Sequence, residues 1–166
     1  RDRGWDQGVF AVLGSAAGVA KLLKLTLAQT ADALAIAVTS SIPTRQTRSG
    51  ELSMWKGVAT AAAARAGVSA ALLAQAGMTG PTAAFEGRHG VWDQVTGPFE
   101  LGAMGGGEVP FGIVHTNLKF FPSEYHSQAP LAMALELRKK VAIADIESIN
   151  VQTYYTAWSE IGSEPA

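Results

Sequence analysis

Residues 117–128, N-L-K-F-F-P-S-E-Y-H-S-Q, set a cation, a carboxylate and an imidazole into one short passage as Lys119, Glu124 and His126. Downstream, Pro130 has no backbone N–H, and inside a helix its ring would collide with the His126 carbonyl. A helix here must therefore start within a turn of that proline. Ser127 is then the expected N-cap, which puts Glu124 and His126 just ahead of the first turn, where unpaired N–H groups attract an anion. An imidazole at such a place can serve as a general base or acid, and Lys119 can hold a carboxylate group of a substrate. The plainer reading has Lys119 and Glu124 as solvated loop charges and His126 bonded to backbone, and the residue pattern alone leaves both open.

Two further passages carry similar residue types. G-E-L-S-M-W-K-G, residues 50–57, puts Trp55 and Lys56 at the start of a helix, directly after a loop holding Arg45 and Arg48. A lysine beside an indole can grip an acid group while the ring keeps water out, although tryptophan is commonly core and lysine surface. F-E-G-R-H-G, residues 85–90, sets Glu86, Arg88 and His89 among glycines that permit a sharp bend, as a binding loop or as a solvated turn. The run G-A-M-G-G-G-E, residues 102–108, follows no strand, opens no helix and lacks the lysine of a phosphate loop, so it reads as a connector. His89, His115 and His126 have no two members at a metal-ligand spacing, so no metal site is expected.

The totals narrow the function further. With 13 Lys+Arg against 14 Asp+Glu and a net charge of -1, the chain has no electrostatic footprint for nucleic acid. Cysteine is absent, which removes thiol nucleophiles and cysteine-ligated clusters and favours a cytoplasmic setting. The charge-free run at 66–85 is interrupted by Gly77, Gly80 and Pro81, so no membrane span and no membrane partner are expected. The sequence opens at Arg1 without a leader pattern and reads as an internal piece of a longer protein.

The elements that must position these residues fall into two groups. A buried, Gly- and Ala-rich helix is expected over 7–23, and a second from a Thr26–Gln29 capping box to about Ser40. A loop follows over 41–50, then a long alanine-rich helix over 51–76 that stops at Gly77. Residues 78–107 are loop-rich. Beyond the glycines at 105–107, F-G-I-V-H-T-N-L-K-F reads as a strand, P-L-A-M-A-L-E-L-R-K-K as an amphipathic helix with cations in its last turn, and I-E-S-I-N-V-Q-T-Y-Y as a strand. The expected fold is mainly α: an Ala-rich helical bundle over 1–96, followed over 97–166 by the incomplete start of an α/β domain in β-α-β order.

Four passages taken together, R-G-W-D-Q-G at 3–8, the G-E-L-S-M-W-K-G helix start, M-T-G-P with F-E-G-R-H-G over 78–90, and L-K-F-F-P-S-E-Y-H-S-Q, resemble the MmgE/PrpD family in that family's order. The resemblance implies a homodimer with a large helical domain and a smaller α/β lid, with the active site between them. It also implies an enzyme without metal or organic cofactor that acts on small di- or tricarboxylates, such as 2-methylcitrate dehydratase of propionate metabolism. By position, Lys119 matches the lysine that opens the lid motif, and Glu124 and His126 match the polar positions after its proline. Asp6 lies where the decarboxylase-like branch of the family has a histidine, and Lys56 immediately precedes Gly57, whereas that branch has its lysine at the position of Leu52.

The expected activity is thus a lyase or isomerase reaction that begins with proton removal next to a carboxylate. His126 and Lys119 are the catalytic candidates; Lys56, Glu124, Arg88, His89 and Asp6 are the substrate-binding candidates. The expected partners are a small polycarboxylate and a second copy of the chain. The alternative, from another class, is a non-catalytic helical packing and dimerisation module.

Overall fold

Small side chains let three helices come together at backbone distance. In the computed structural model, which describes residues 3–102 and 104–162, these are α1 (Gly8–Leu22), α2 (Leu27–Ser40) and α3 (Trp55–Gln75), each packed against the other two. Their shared core is made of Val12, Ala16, Ala37, Ala63 and Ala70, with Ala33, Ala71 and Ala74 forming a second cluster beside it. α1 and α3 approach closely at Gly67, where an added Cβ would stand 2.2 Å from the Val12 carbonyl oxygen and 2.2 Å from Ser15 Oγ. Only the absence of a side chain permits that approach.

The helix ends follow local chemistry. Thr26 Oγ1 accepts from the Gln29 N–H at 3.2 Å, and the Gln29 side chain accepts from the Thr26 N–H at 3.1 Å, completing the expected capping box. α3 stops as expected at Gly77, which adopts φ +93°: its N–H donates to the Ala74 carbonyl and that of Met78 to the Leu73 carbonyl. α1 ends in the same bonding pattern with a lysine in the glycine position, Lys24 at φ +56°, its N–H donating to the Lys21 carbonyl and that of Leu25 to the Ala20 carbonyl. At its other end α3 begins at Trp55, later than the alanine-rich composition suggests, its entrance closed by the Lys56 N–H donating to the Ser53 carbonyl and the Gly57 N–H to the Met54 carbonyl. Residues Arg45–Arg48 form a single 3₁₀ turn within the 41–50 loop. Beyond α3, Val91 and Val95 pack with Ala35, Val38 and Ala84 around a short π-helical turn, Trp92–Thr96.

The chain divides into two units, Arg1–Leu101 and Gly102–Ala166. The second contains α4 (Gln128–Leu137) and the one-turn helix α5 (Tyr155–Ala157). Among the described residues the protein is mainly helical and has no strand, so the two expected strands are not formed. Residues Gly112–His115 close a 3₁₀ turn, with the Val114 N–H donating to the Phe111 carbonyl at 3.0 Å, and residues 147–154 have no regular structure. The physical reason is the lack of a neighbour: an extended segment without a paired strand leaves its backbone groups to water, and β-branched residues favour a strand only when they have a surface to pack on. Ile113, Val114, Ile149 and Val151 are all largely exposed. The glycine connector closes a tight turn, with mutual backbone bonds between Gly106 and Val109 and with Gly107 at φ +60°. α4 ends before Arg138, so the expected cations follow the last turn and lie outside it, with Lys139 paired to Glu136 at 2.7 Å.

Gly67→Ala is expected to destabilise the protein by about 1–3 kcal/mol through overpacking, outweighing the roughly 1 kcal/mol helix-propensity gain of alanine over glycine. An unchanged or higher urea midpoint would show that α1 and α3 do not meet at this residue. Lys24→Gly should stabilise by about 1 kcal/mol, since a side chain in the left-handed region costs roughly 1–2 kcal/mol; a lower melting temperature would contradict that.

Candidate functional site

In the second unit, the passage 117–128 is organised by a residue the sequence reading did not single out, Gln128. From the first turn of α4 its Oε1 accepts from the N–H groups of Phe120 at 3.0 Å and Phe121 at 2.9 Å, while Nε2 donates to the Phe121 carbonyl and Ser123 Oγ, both at 3.0 Å. One amide thus folds the loop back over the helix start. Lys119 lies just before the clamped residues, exposed and without an ion pair among the described residues. The Phe120 and Phe121 rings meet edge to face at 5.1 Å.

Ser127 does not cap α4 with its side chain; its hydroxyl donates to the Glu124 carbonyl at 2.7 Å. The chain enters the helix through a 3₁₀ turn, Tyr125–Ser127, and Glu124 is the cap, its Oε2 accepting from the His126 N–H at 2.5 Å. The anion at this helix entrance is therefore the protein's own carboxylate. Pro130 falls in the first turn of α4, as its chemistry requires.

The His126 side chain is 19% exposed and Glu124 45%. Nε2 of His126 is 4.0 Å from Glu124 Oε1. Nδ1 is hydrogen-bonded to the Tyr154 hydroxyl, and the two rings stand 5.4 Å apart at 75°. Tyr154 follows 28 residues later, after α4 and the irregular stretch behind it. The aromatic pair Tyr154–Tyr155 is visible in the sequence, but only the returning chain reveals which ring reaches the histidine.

The helical unit holds the other candidates. Asp6 is 2% exposed and fully engaged: Oδ1 accepts from the Gly8 N–H at 2.8 Å and Oδ2 pairs with Arg48 Nε at 2.6 Å. The Arg48 Nη2 donates onward to Thr60 Oγ1 at 3.1 Å, and the Asp6 N–H to the Pro43 carbonyl at 2.8 Å. Asp6 thereby ties the start of α1 to the 41–50 loop and to α3. Lys56 is exposed on the first turn of α3, one turn before Thr60. Arg88 and His89 are exposed in a turn closed by the Gly87 N–H to the Ala83 carbonyl and the Gly90 N–H to the Gly87 carbonyl. A hollow of about 610 Å³ in this unit is lined by Ala17, Lys21, Lys24, Leu25 and Thr30, none of them a sequence candidate. Among the described residues, no three His, Asp or Glu side chains are grouped as metal ligands would be.

Residues 1–103 match the family model described as the MmgE/PrpD N-terminal domain. The chain belongs to the MmgE/PrpD family. This places it among dehydratase-like enzymes, and the matched span contains α1, α2, α3 and the turn with Arg88 and His89. Lys119, Glu124 and His126 lie beyond the matched residues of this MmgE/PrpD chain. No solved structure matches it.

Asp6→Ala is expected to destabilise the helical unit by about 3 kcal/mol, because it leaves Arg48 without its partner at a largely buried position and frees the α1 entrance. Urea denaturation monitored by circular dichroism measures this, and a loss below about 1 kcal/mol would mean that the pair does not hold the loop to the helices.

Proposed function

We propose that this MmgE/PrpD chain serves a cofactor-independent lyase that removes water from a small di- or tricarboxylate of the 2-methylcitrate type. Membership in a dehydratase-like family supports the reaction class. The observation that carries the reading is the His126 ring, set at the entrance of α4 with the Glu124 carboxylate and the Tyr154 hydroxyl against it and Lys119 at the edge of the same clamped loop.

The chemistry follows from those groups. Dehydration of a hydroxy acid starts with loss of a proton from the carbon next to a carboxylate, and the electron pair left behind spreads onto the carboxylate oxygens. His126 takes the proton as general base, and the imidazolium so formed faces the Glu124 carboxylate. Lys119 pairs with the substrate carboxylate and stabilises the charge that grows on it. Expulsion of the β-hydroxyl as water, with the proton returned by His126, leaves the unsaturated acid and restores the ring.

Replacing His126 by alanine is expected to lower kcat for 2-methylcitrate dehydration by about 100-fold or more, the usual scale of a lost acid–base group. Formation of the alkene, followed by NMR, is the measurement. Turnover within a few-fold of the parent, from protein with unchanged circular dichroism, removes His126 from the mechanism.

A further inference from the structure

The two nitrogens of His126 have different surroundings. Nδ1 is taken by the Tyr154 hydroxyl, whereas Nε2 makes no hydrogen bond among the described residues and has the Glu124 carboxylate at 4.0 Å, too long for one. Tyr154 is half exposed, and its position is held from behind: it caps α5, its carbonyl accepting from the Trp158 N–H at 3.1 Å. The ring of Tyr125 stands 5.6 Å from the imidazole at 80°, so His126 has aromatic edges against it from Tyr125 as well as Tyr154. An imidazole used as a base needs a lone pair on the nitrogen that meets the substrate, so its proton must sit on the other nitrogen, where a phenol hydroxyl, able to donate or accept, can take it as acceptor.

We infer that Tyr154 is the positioning residue of this site, accepting a hydrogen bond from His126 Nδ1–H and so keeping the Nε2 lone pair free for proton transfer. The inference rests on the proposed acid–base role of His126. A phenol oxygen suits the task in both halves of a reaction cycle. It accepts from Nδ1–H while the ring is neutral, and it goes on accepting from the same N–H after Nε2 has gained a proton, so the ring need not turn. Glu124 Oε1 lies on the Nε2 side, where the new N–H and positive charge arise, and stabilises them without occupying the lone pair beforehand. Nδ1–H is the less favoured tautomer of an unconstrained histidine side chain, so its presence would be a distinctive mark of this arrangement.

The experiment is ¹⁵N NMR of the imidazole rings in the full chain at a pH where His126 is neutral, with His126→Ala used to assign its signals. The parent should show protonated Nδ1 and unprotonated Nε2, and Tyr154→Phe should return the ring to a population dominated by Nε2–H. In the 2-methylcitrate assay, Tyr154→Phe should lower kcat about tenfold or more with KM changed less than about twofold. A parent ring already in the Nε2–H form, or a Tyr154→Phe spectrum identical to the parent, overturns the inference whatever the enzyme turns over. Loss of the Nδ1–H signature in Tyr154→Phe with kcat unchanged also overturns the positioning role. Retained turnover in His126→Ala is a separate result and counts against the proposed reaction, so the two readings fail by different signs.

Discussion

Interhelical distance is the constraint on which the helical unit depends. α1 and α3 cross so closely at Gly67 that backbone and a serine hydroxyl fill the space a side chain would take, and the core around the crossing is built from alanines and one fully buried valine, Val12. Each alanine buries little apolar area, so stability here comes from many short contacts between backbones more than from a few large side chains. Such a core tolerates little change in volume. Of the larger apolar residues of the same helices, Phe10, Leu22, Leu72 and Leu73 stay at least 40% exposed, while Leu34 and Ile36 pack partly buried against the core.

A buried charge completes that packing. Asp6 is linked by its side chain to Gly8 and Arg48, and by its N–H to Pro43, so it joins the entrance of α1 to the loop before α3. Removing a carboxylate from water is costly, and this one is compensated by a backbone N–H and a guanidinium in short geometry. Asp6 therefore reads as a residue that fixes the frame, while the exposed side chains of Lys56, Arg88 and His89 remain on the surface of that frame.

Much of the helical unit, and the start of α4 in the second unit, was legible in the sequence because the signals are local. The Thr26–Gln29 box, Gly77 after α3 and Pro130 in the first turn of α4 each act within a few residues, and each appears where its chemistry puts it. The strands expected after the glycine run did not form, since pairing depends on a neighbour that a residue pattern cannot supply. At the candidate site, Lys119, Glu124 and His126 were visible as a cluster of types. The cap fell to Glu124 because a carboxylate two residues before His126 reaches its N–H more directly than Ser127 reaches into α4. Gln128 and Tyr154 were missed for opposite reasons: one looks like an ordinary helix residue, and the other lies 28 positions from its partner.

The link between α1 and α2 has a consequence for how the chain finds this arrangement. Leu22 and Leu27 bound a connection that is closed on one side by the left-handed Lys24 and on the other by the Thr26 cap. Bringing together the ends of so short a loop costs little entropy, and contacts close in sequence form quickly. The α1–α2 contacts are thus the ones closest in sequence, whereas α3 meets α1 and α2 only across the longer 41–54 segment.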